Sequence, residues 1–130
     1  MKDQRNVIRK LYGRLVKREQ QPFPKLGERL EAPAIPGVYV IFNPNGRVYH
    51  VGRTTRGKRG LAQRLADHMA GRSSFTTKMF GGDGSRLRGR WTFSYLEVAD
   101  GRDRALLEAL AIGTLCPVHI GVGEPVTENT

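Results

Sequence analysis

The chain has a single cysteine, Cys116, among its 130 residues. It can form no internal disulfide, and without a CxxC pair or a Cys/His cluster a zinc site is a poor reading. Cys116 is expected to be a small core residue. Acidic residues are also scarce: twelve Asp and Glu stand against twenty-two Lys and Arg, a formal net charge of +10. Such a field favours polyanions, either nucleic acid or an anionic membrane face. Long apolar runs are missing too, and nothing approaches the roughly 20 residues of a membrane span, so nucleic acid is the better match and no membrane association is expected. The N-terminal MKDQRNVIRK lacks the uncharged stretch of a secretory signal, which makes a cytoplasmic location the expectation. There is no internal repeat. A chain of this length forms one domain and can bury roughly two thirds of its unfolded surface, enough for a real core.

From Asp3 to Arg18, Val7, Ile8, Leu11, Tyr12, Leu15 and Val16 recur at helical spacing while arginines and lysines fill the other face. This pattern predicts a basic amphipathic helix that either docks on the domain or touches phosphates directly. The stretch QQPFPKLGERLEAPAIP carries four prolines and reads as an extended connector. Alternation over Val38–Phe42, the turn residues NPNG and renewed alternation over Val48–Val51 predict a β-hairpin. Pairing Phe42 with Arg47 places Tyr39 opposite His50 on one sheet face and sends Tyr49 to the other. RTTRGKRG then forms a cationic loop, and LAQRLADHMAG a helix closed by Gly71, with Arg64 and His68 on one face and Leu61, Leu65 and Met69 on the apolar stripe. Ser73 or Ser74 caps a short helix through Phe80, and GGDGSRLRGR reads as a flexible basic loop. WTFSYLEV is a third strand, Asp100–Leu115 the last helix with Leu106, Leu107, Leu110 and Ile112 as apolar positions, and GVGEPVTENT a fraying tail. The segments divide into an N-terminal helix and connector (1–35), a domain (36–120) and a tail (121–130).

Gly52–Arg59, GRTTRGKR, nearly spells the GxxxxGK[ST] nucleotide loop after a strand and before a helix. Arg59 replaces the hydroxyl that would hold Mg²⁺, and a tight hairpin supplies an antiparallel sheet where that loop needs a parallel one.

GVY at Gly37–Tyr39, VYHVGRT at Val48–Thr54, the helix QRLADH, an ALLEALAIG helix and LCPVH at Leu115–His119 follow one another in order. In this the chain resembles the GIY-YIG nuclease superfamily over about Pro36–Ile120. The resemblance implies an α+β fold, a three-stranded antiparallel sheet flanked by helices, to which this chain adds its N-terminal basic helix. It also implies an endonuclease that hydrolyses DNA phosphodiester bonds with Mg²⁺ or Mn²⁺ and leaves 5′-phosphate and 3′-hydroxyl ends.

By the same resemblance Tyr39 activates the attacking water, although a phenol with a reference pKa near ~10 needs a cation to act as a base at neutral pH. His50 stands where the second motif usually has tyrosine. It can position Tyr39 or take a proton itself, and the expected register favours it over Tyr49. Arg64 matches the arginine that clamps the scissile phosphate, aided by Arg53, and His68 matches a histidine that bonds the tyrosine or the phosphate. Glu108 matches the metal ligand; its alternative is a structural ion pair with Arg104. His119 falls where many members carry asparagine, a second departure that leaves its role open. Lys58, Arg59, Arg86, Arg88 and Arg90 are expected to track the DNA backbone, duplex or branched, without reading sequence. With little chain left for base readout, a targeting partner protein or recognition of DNA shape is expected. The rival reading is a non-catalytic nucleic-acid-binding module of the same fold.

Overall fold

A computed structural model of the chain describes residues 3–55 and 58–121. The expected loop at Arg56 and Gly57 and the expected fraying beyond residue 121 lie outside the described residues. Helix α1 (Gln4–Val16) begins where the Asp3 carboxylate accepts the Arg5 N–H at 3.0 Å, and it buries Ile8 and Leu15 while its arginines face solvent.

Four strands make one antiparallel sheet in the order β1-β4-β2-β3. The prolines of the connector conceal the first, β1 (Gln21–Pro22), which pairs with Phe93 and Thr92 of β4 (Thr92–Glu97). Two residues have no periodicity to read, and a proline is tolerated there because the strand is an edge. The expected three strands are therefore four.

The hairpin joins β2 (Gly37–Phe42) to β3 (Val48–Arg53), but its register differs from the expected one. The Asn43 carboxamide accepts the N–H groups of Asn45 and Arg47, and the Asn43 N–H bonds the Arg47 carbonyl, so Asn43 and not Phe42 closes the turn. Phe42 pairs with Val48, and after an irregularity Ile41 pairs with His50 and Tyr39 with Gly52. Tyr39 thus opposes Gly52 rather than His50. The displacement is two residues, which preserves the face, so Tyr39 and His50 remain diagonal neighbours with ring centroids 6.0 Å apart. The bulge absorbs Tyr49, which does not go to the opposite face: it joins the same core as Tyr39 and packs edge-on against Trp91 at 4.9 Å.

Helix α2 (Gly60–Met69) is followed by α3 (Ser74–Phe80), where Ser73 and Thr76 form a reciprocal capping box. The basic loop after it contains a 3₁₀ turn over Gly84–Leu87, started by Asp83 and anchored by the fully buried Leu87. Arg88 donates from Nη1 to the carbonyls of Lys25 and Glu28, tying this loop to the connector. It is an ordered segment, not the flexible one expected.

Helix α4 (Gly101–Leu115) starts at Asp100, whose carboxylate accepts the Asp103 N–H at 2.9 Å. It ends at Cys116, in the left-handed region with φ 49°. That turn points the chain back toward the sheet, leaving Cys116 exposed and burying Pro117, Val118 and His119 in its place. Cys116 is therefore not a core residue. No described helix is long and apolar enough to cross a membrane.

The sheet has two unlike cores. On one face Tyr39, Ile41, Tyr49, Phe93 and Phe23 pack with Leu61 and Leu65 of α2, Phe75 of α3 and Leu87. On the other, Val38, Val40, Val51 and Leu96 pack under Leu15 of α1 and Leu107 and Ala111 of α4.

Candidate active site

Edge strand β3 lies where the two helical layers meet. Its His50 and Gly52 share the aromatic face with Tyr39, and Arg53 is paired with Val38 of the aliphatic face. A cleft of about 260 Å³ runs along this edge, lined by His50–Arg53 and Thr55, by Arg64 from α2, Ser74 from α3, and Glu108 and Ile112 from α4. The sequence-level candidates His50, Arg53, Arg64 and Glu108 are thus brought to one cleft, with Tyr39, His68 and His119 buried behind it.

Tyr39 is fully buried, and its hydroxyl is 2.7 Å from His68 Nε2. A Cβ on Gly52 would collide with that hydroxyl, so the phenol packs directly against the Gly52 backbone, which lines the cleft, only because residue 52 has no side chain. Burial pushes Tyr39 up to about 12, while the Arg64 guanidinium, through its charge and a hydrogen bond, works the other way. His68 continues the chain inward, with Nδ1 at 2.7 Å from Ser73 Oγ, which lies 2.9 Å from Thr76 Oγ1. Burial, and then the charge of Arg64, lower His68 to about 3, so it is neutral at pH 7.

His50 stacks on Phe75, with centroids 5.0 Å apart and planes 17° apart, and its Nδ1 is 3.0 Å from Nδ1 of His119. Burial, followed by the neighbouring His68, His119 and Arg64, holds His50 well below the usual histidine range. His119 is lowered by burial and then by Lys78. It is held beside β3 by its N–H, which bonds the Tyr49 carbonyl at 2.9 Å.

Glu108 accepts from Arg53 Nε through Oε1 at 3.0 Å. Arg104, the alternative partner, is spent elsewhere: it donates to the carbonyls of Thr54, Val98 and Ala99. Among the described residues no group of three or more His, Cys, Asp or Glu forms a metal cage. A hard cation needs none, because Mg²⁺ is usually held by one or two carboxylates, waters and substrate phosphate. Glu108, with its second oxygen available to a ligand in the cleft, suits that donor set, and a four-ligand zinc site does not fit.

The backbone-tracking cations are not gathered here. Lys58 lines a separate groove with Thr54 and Arg104, Arg59 lines another with Arg29 and Arg88, and Arg86 lies over the Phe80 ring at 5.1 Å. Arg90 is exposed in the turn before β4. Sequence reasoning missed Ser73 as the partner of His68 and Thr76 as the partner of Ser73, since their capping role alone accounts for them, and missed Phe75, whose apolar position carries no sign of the imidazole stacked on it.

Arg64 from one helical layer and Glu108 from the other, on one cleft of a chain of net charge +10, are groups suited to a phosphodiester. The GIY-YIG catalytic domain matches residues 35–118, well over half of the chain, and the chain belongs to this family. It is a nuclease domain, and its substrate is a nucleic acid. Among solved structures it is similar to the GIY-YIG N-terminal endonuclease domain of UvrC from Thermotoga maritima bound to magnesium, at 23% identity, covering 90% of this chain and 96% of that one, TM-score 0.49. A point mutant of that domain with its catalytic divalent cation matches at 22% identity, 90% and 94% coverage and TM-score 0.49. No curated protein matches the sequence significantly.

Proposed function

We propose that the chain is a metal-dependent endonuclease that hydrolyses DNA phosphodiester bonds by in-line attack of water. The observation that carries this reading is the meeting of Arg64 and Glu108, from helices on opposite faces of the sheet, on one cleft whose Gly52 packs against the Tyr39 hydroxyl. Arg64 and Arg53 hold the scissile phosphate, and the planar fork of Arg64 stabilises charge that builds on its equatorial oxygens. Glu108 is the residue that would hold Mg²⁺ or Mn²⁺. When bound, such an ion supplies Lewis-acid polarisation of the phosphoryl oxygen and stabilises the leaving oxygen.

Tyr39 takes the proton of the attacking water. At about 12 its phenol is ionised in on the order of one molecule in 10⁵ at pH 7, so the base form is scarce and Arg64 is the group that favours it. His68, neutral and fixed by Ser73, holds the phenol in place and screens it from the core. The exposed cations outside the cleft contribute affinity along the backbone. If they and the cleft together touch 6 to 10 phosphates, raising salt from ~50 to ~200 mM weakens binding by about 10³ to 10⁵. Sequence specificity is weak, with targeting supplied either by a partner protein or by recognition of DNA shape.

The test is a nicking and cleavage assay on supercoiled plasmid, branched and single-stranded DNA with Mg²⁺ or Mn²⁺. The wild type is expected to cut, with Tyr39→Phe slower by about 10² to 10⁴. Equal rates in the two would remove Tyr39 from the mechanism, and a wild type inert on every substrate would leave a binding module.

A further inference from the structure

Two buried imidazoles face each other, His50 at the cleft and His119 behind it, with Nδ1 atoms 3.0 Å apart, and neither is charged at neutral pH. A neutral imidazole carries one proton, so a hydrogen bond between two Nδ1 atoms requires that one ring be protonated there and the other be bare. The geometry of His119 decides between the two arrangements. It is 0% exposed, and among the described residues its Nε2 has no hydrogen-bond partner. If His119 accepts at Nδ1, its only proton sits on Nε2, sealed away from water with no acceptor, an arrangement that folded proteins rarely tolerate. If His119 donates from Nδ1, the stranded atom is only a bare lone pair, the milder defect. Burial, and then the charge of Lys78, oppose protonation of the His119 ring and keep a second proton off it. His50 is then the acceptor at Nδ1, and its proton is on Nε2. Its ring borders the cleft, held in plane by the stack on Phe75.

We infer that His119 is a positioning residue that locks His50 in the Nε2–H tautomer, so that His50 presents a neutral hydrogen-bond donor, not a base, to a phosphate oxygen in the cleft. This rests on the nuclease reading for the identity of the acceptor, but the tautomer does not. It also divides the labour of the two motif residues: Tyr39 handles the proton, and His50 handles charge on the phosphate. A tyrosine hydroxyl and an imidazole N–H are both neutral donors, so histidine at position 50 keeps the donor function while its second nitrogen ties the ring to His119.

The test has two arms. Nitrogen chemical shifts of ¹⁵N-histidine-labelled protein at pH 7, without substrate, are expected to show protonated His119 Nδ1 and His50 Nε2, with the other two ring nitrogens bare. The opposite assignment, or averaged shifts on His50, overturns the lock. His119→Asn places an amide donor near the same Nδ1 and is expected to keep the His50 shifts. His119→Leu is expected to average them, and if it leaves them unchanged His119 is not the lock; should it fail to fold, the wild-type spectrum still decides. In the second arm, cleavage of plasmid DNA is compared for His50→Gln, whose amide nitrogen reaches the Nε2 position, and His50→Asn, whose amide does not. The glutamine variant is expected to stay within about tenfold of wild type and the asparagine variant to lose about 10² to 10³. Equal losses overturn the donor role. A wild type that cleaves nothing defeats the nuclease reading and with it the donor role toward phosphate, while the tautomer is still read from the spectrum.

Discussion

The two faces of the sheet are built from different chemistry for different ends. One is largely aliphatic: Val38, Val40, Val51, Leu96, Leu107 and Ala111 close against α1 and α4, with the small hydroxyl of Ser94, buried opposite Val40, on the same face. The other is aromatic and seeded with imidazoles, Tyr39, Phe75, His50, His68 and His119 standing within ring contact of one another. Burial of apolar area drives folding on both, at about 25 cal/mol per Å². Only the second also confines titratable groups, and each of its histidines is shifted against ionisation. On the proposed reading, stability and reactivity are separated across a sheet one layer thick and rejoined at β3, where α4 brings Glu108 from the aliphatic side to the cleft.

Adjacent residues of α4 offer the sharpest way to break this division. Glu108→Gln keeps an acceptor for Arg53 but removes the charge, and it is expected to slow cleavage by about 10² to 10⁴ with a melting temperature close to wild type. Leu107→Ala, one position earlier and fully buried, is expected to cost about 2 to 5 kcal/mol in denaturant unfolding while the rate per folded molecule stays near wild type. If the two effects were exchanged, the faces would not be functionally distinct.

The pH dependence separates the faces next. Because the folded-state pKa of Tyr39 is raised to about 12, the base form grows with pH, and the single-turnover rate is expected to climb about tenfold per unit from pH 7 to 9. A flat profile would mean that Tyr39 does not take the proton. Stability runs with its own sign. The folded-state pKa values of the histidines lie below the ordinary 6.5, to about 3 for His68, so the unfolded chain binds protons that the folded one refuses. Their contribution is intact above pH 6.5 and is lost as pH falls, at roughly tenfold in the unfolding equilibrium per unit for each of the strongly shifted His50 and His68 below that point. Thermal melts from pH 7 to 5 should show the fall, and His68→Leu should reduce its slope, whereas Leu107→Ala should leave the slope unchanged.

Much of this architecture is legible in the sequence, for reasons that differ element by element. The hairpin and the helices declare themselves by period, and Ser73 by its capping chemistry, because these depend on neighbours in the chain. The face shared by Tyr39 and His50 is legible because a shift of two residues leaves it unchanged, but the register is not, since Asn43 closes the turn with its side chain and the bulge at Tyr49 has no signature. The two-residue strand β1 is invisible for want of length. Likewise Arg53, not the nearer Arg104, becomes the partner of Glu108, because Arg104 is drawn to the carbonyls of Thr54, Val98 and Ala99, and such competition is settled only in three dimensions. The outward turn of Cys116 follows from a left-handed residue ahead of Pro117, a conformation more often supplied by glycine.

The claim that β3 gathers one reactive centre from both faces is tested most directly by a double-mutant cycle on the single-turnover cleavage rate, using Arg64→Ala, Glu108→Gln and the pair. Groups that act as a unit are strongly non-additive, so the double variant is expected to be about as slow as the slower single one. Losses that multiply in full would mean that Arg64 and Glu108 act independently, and the cleft would not be the single active site described.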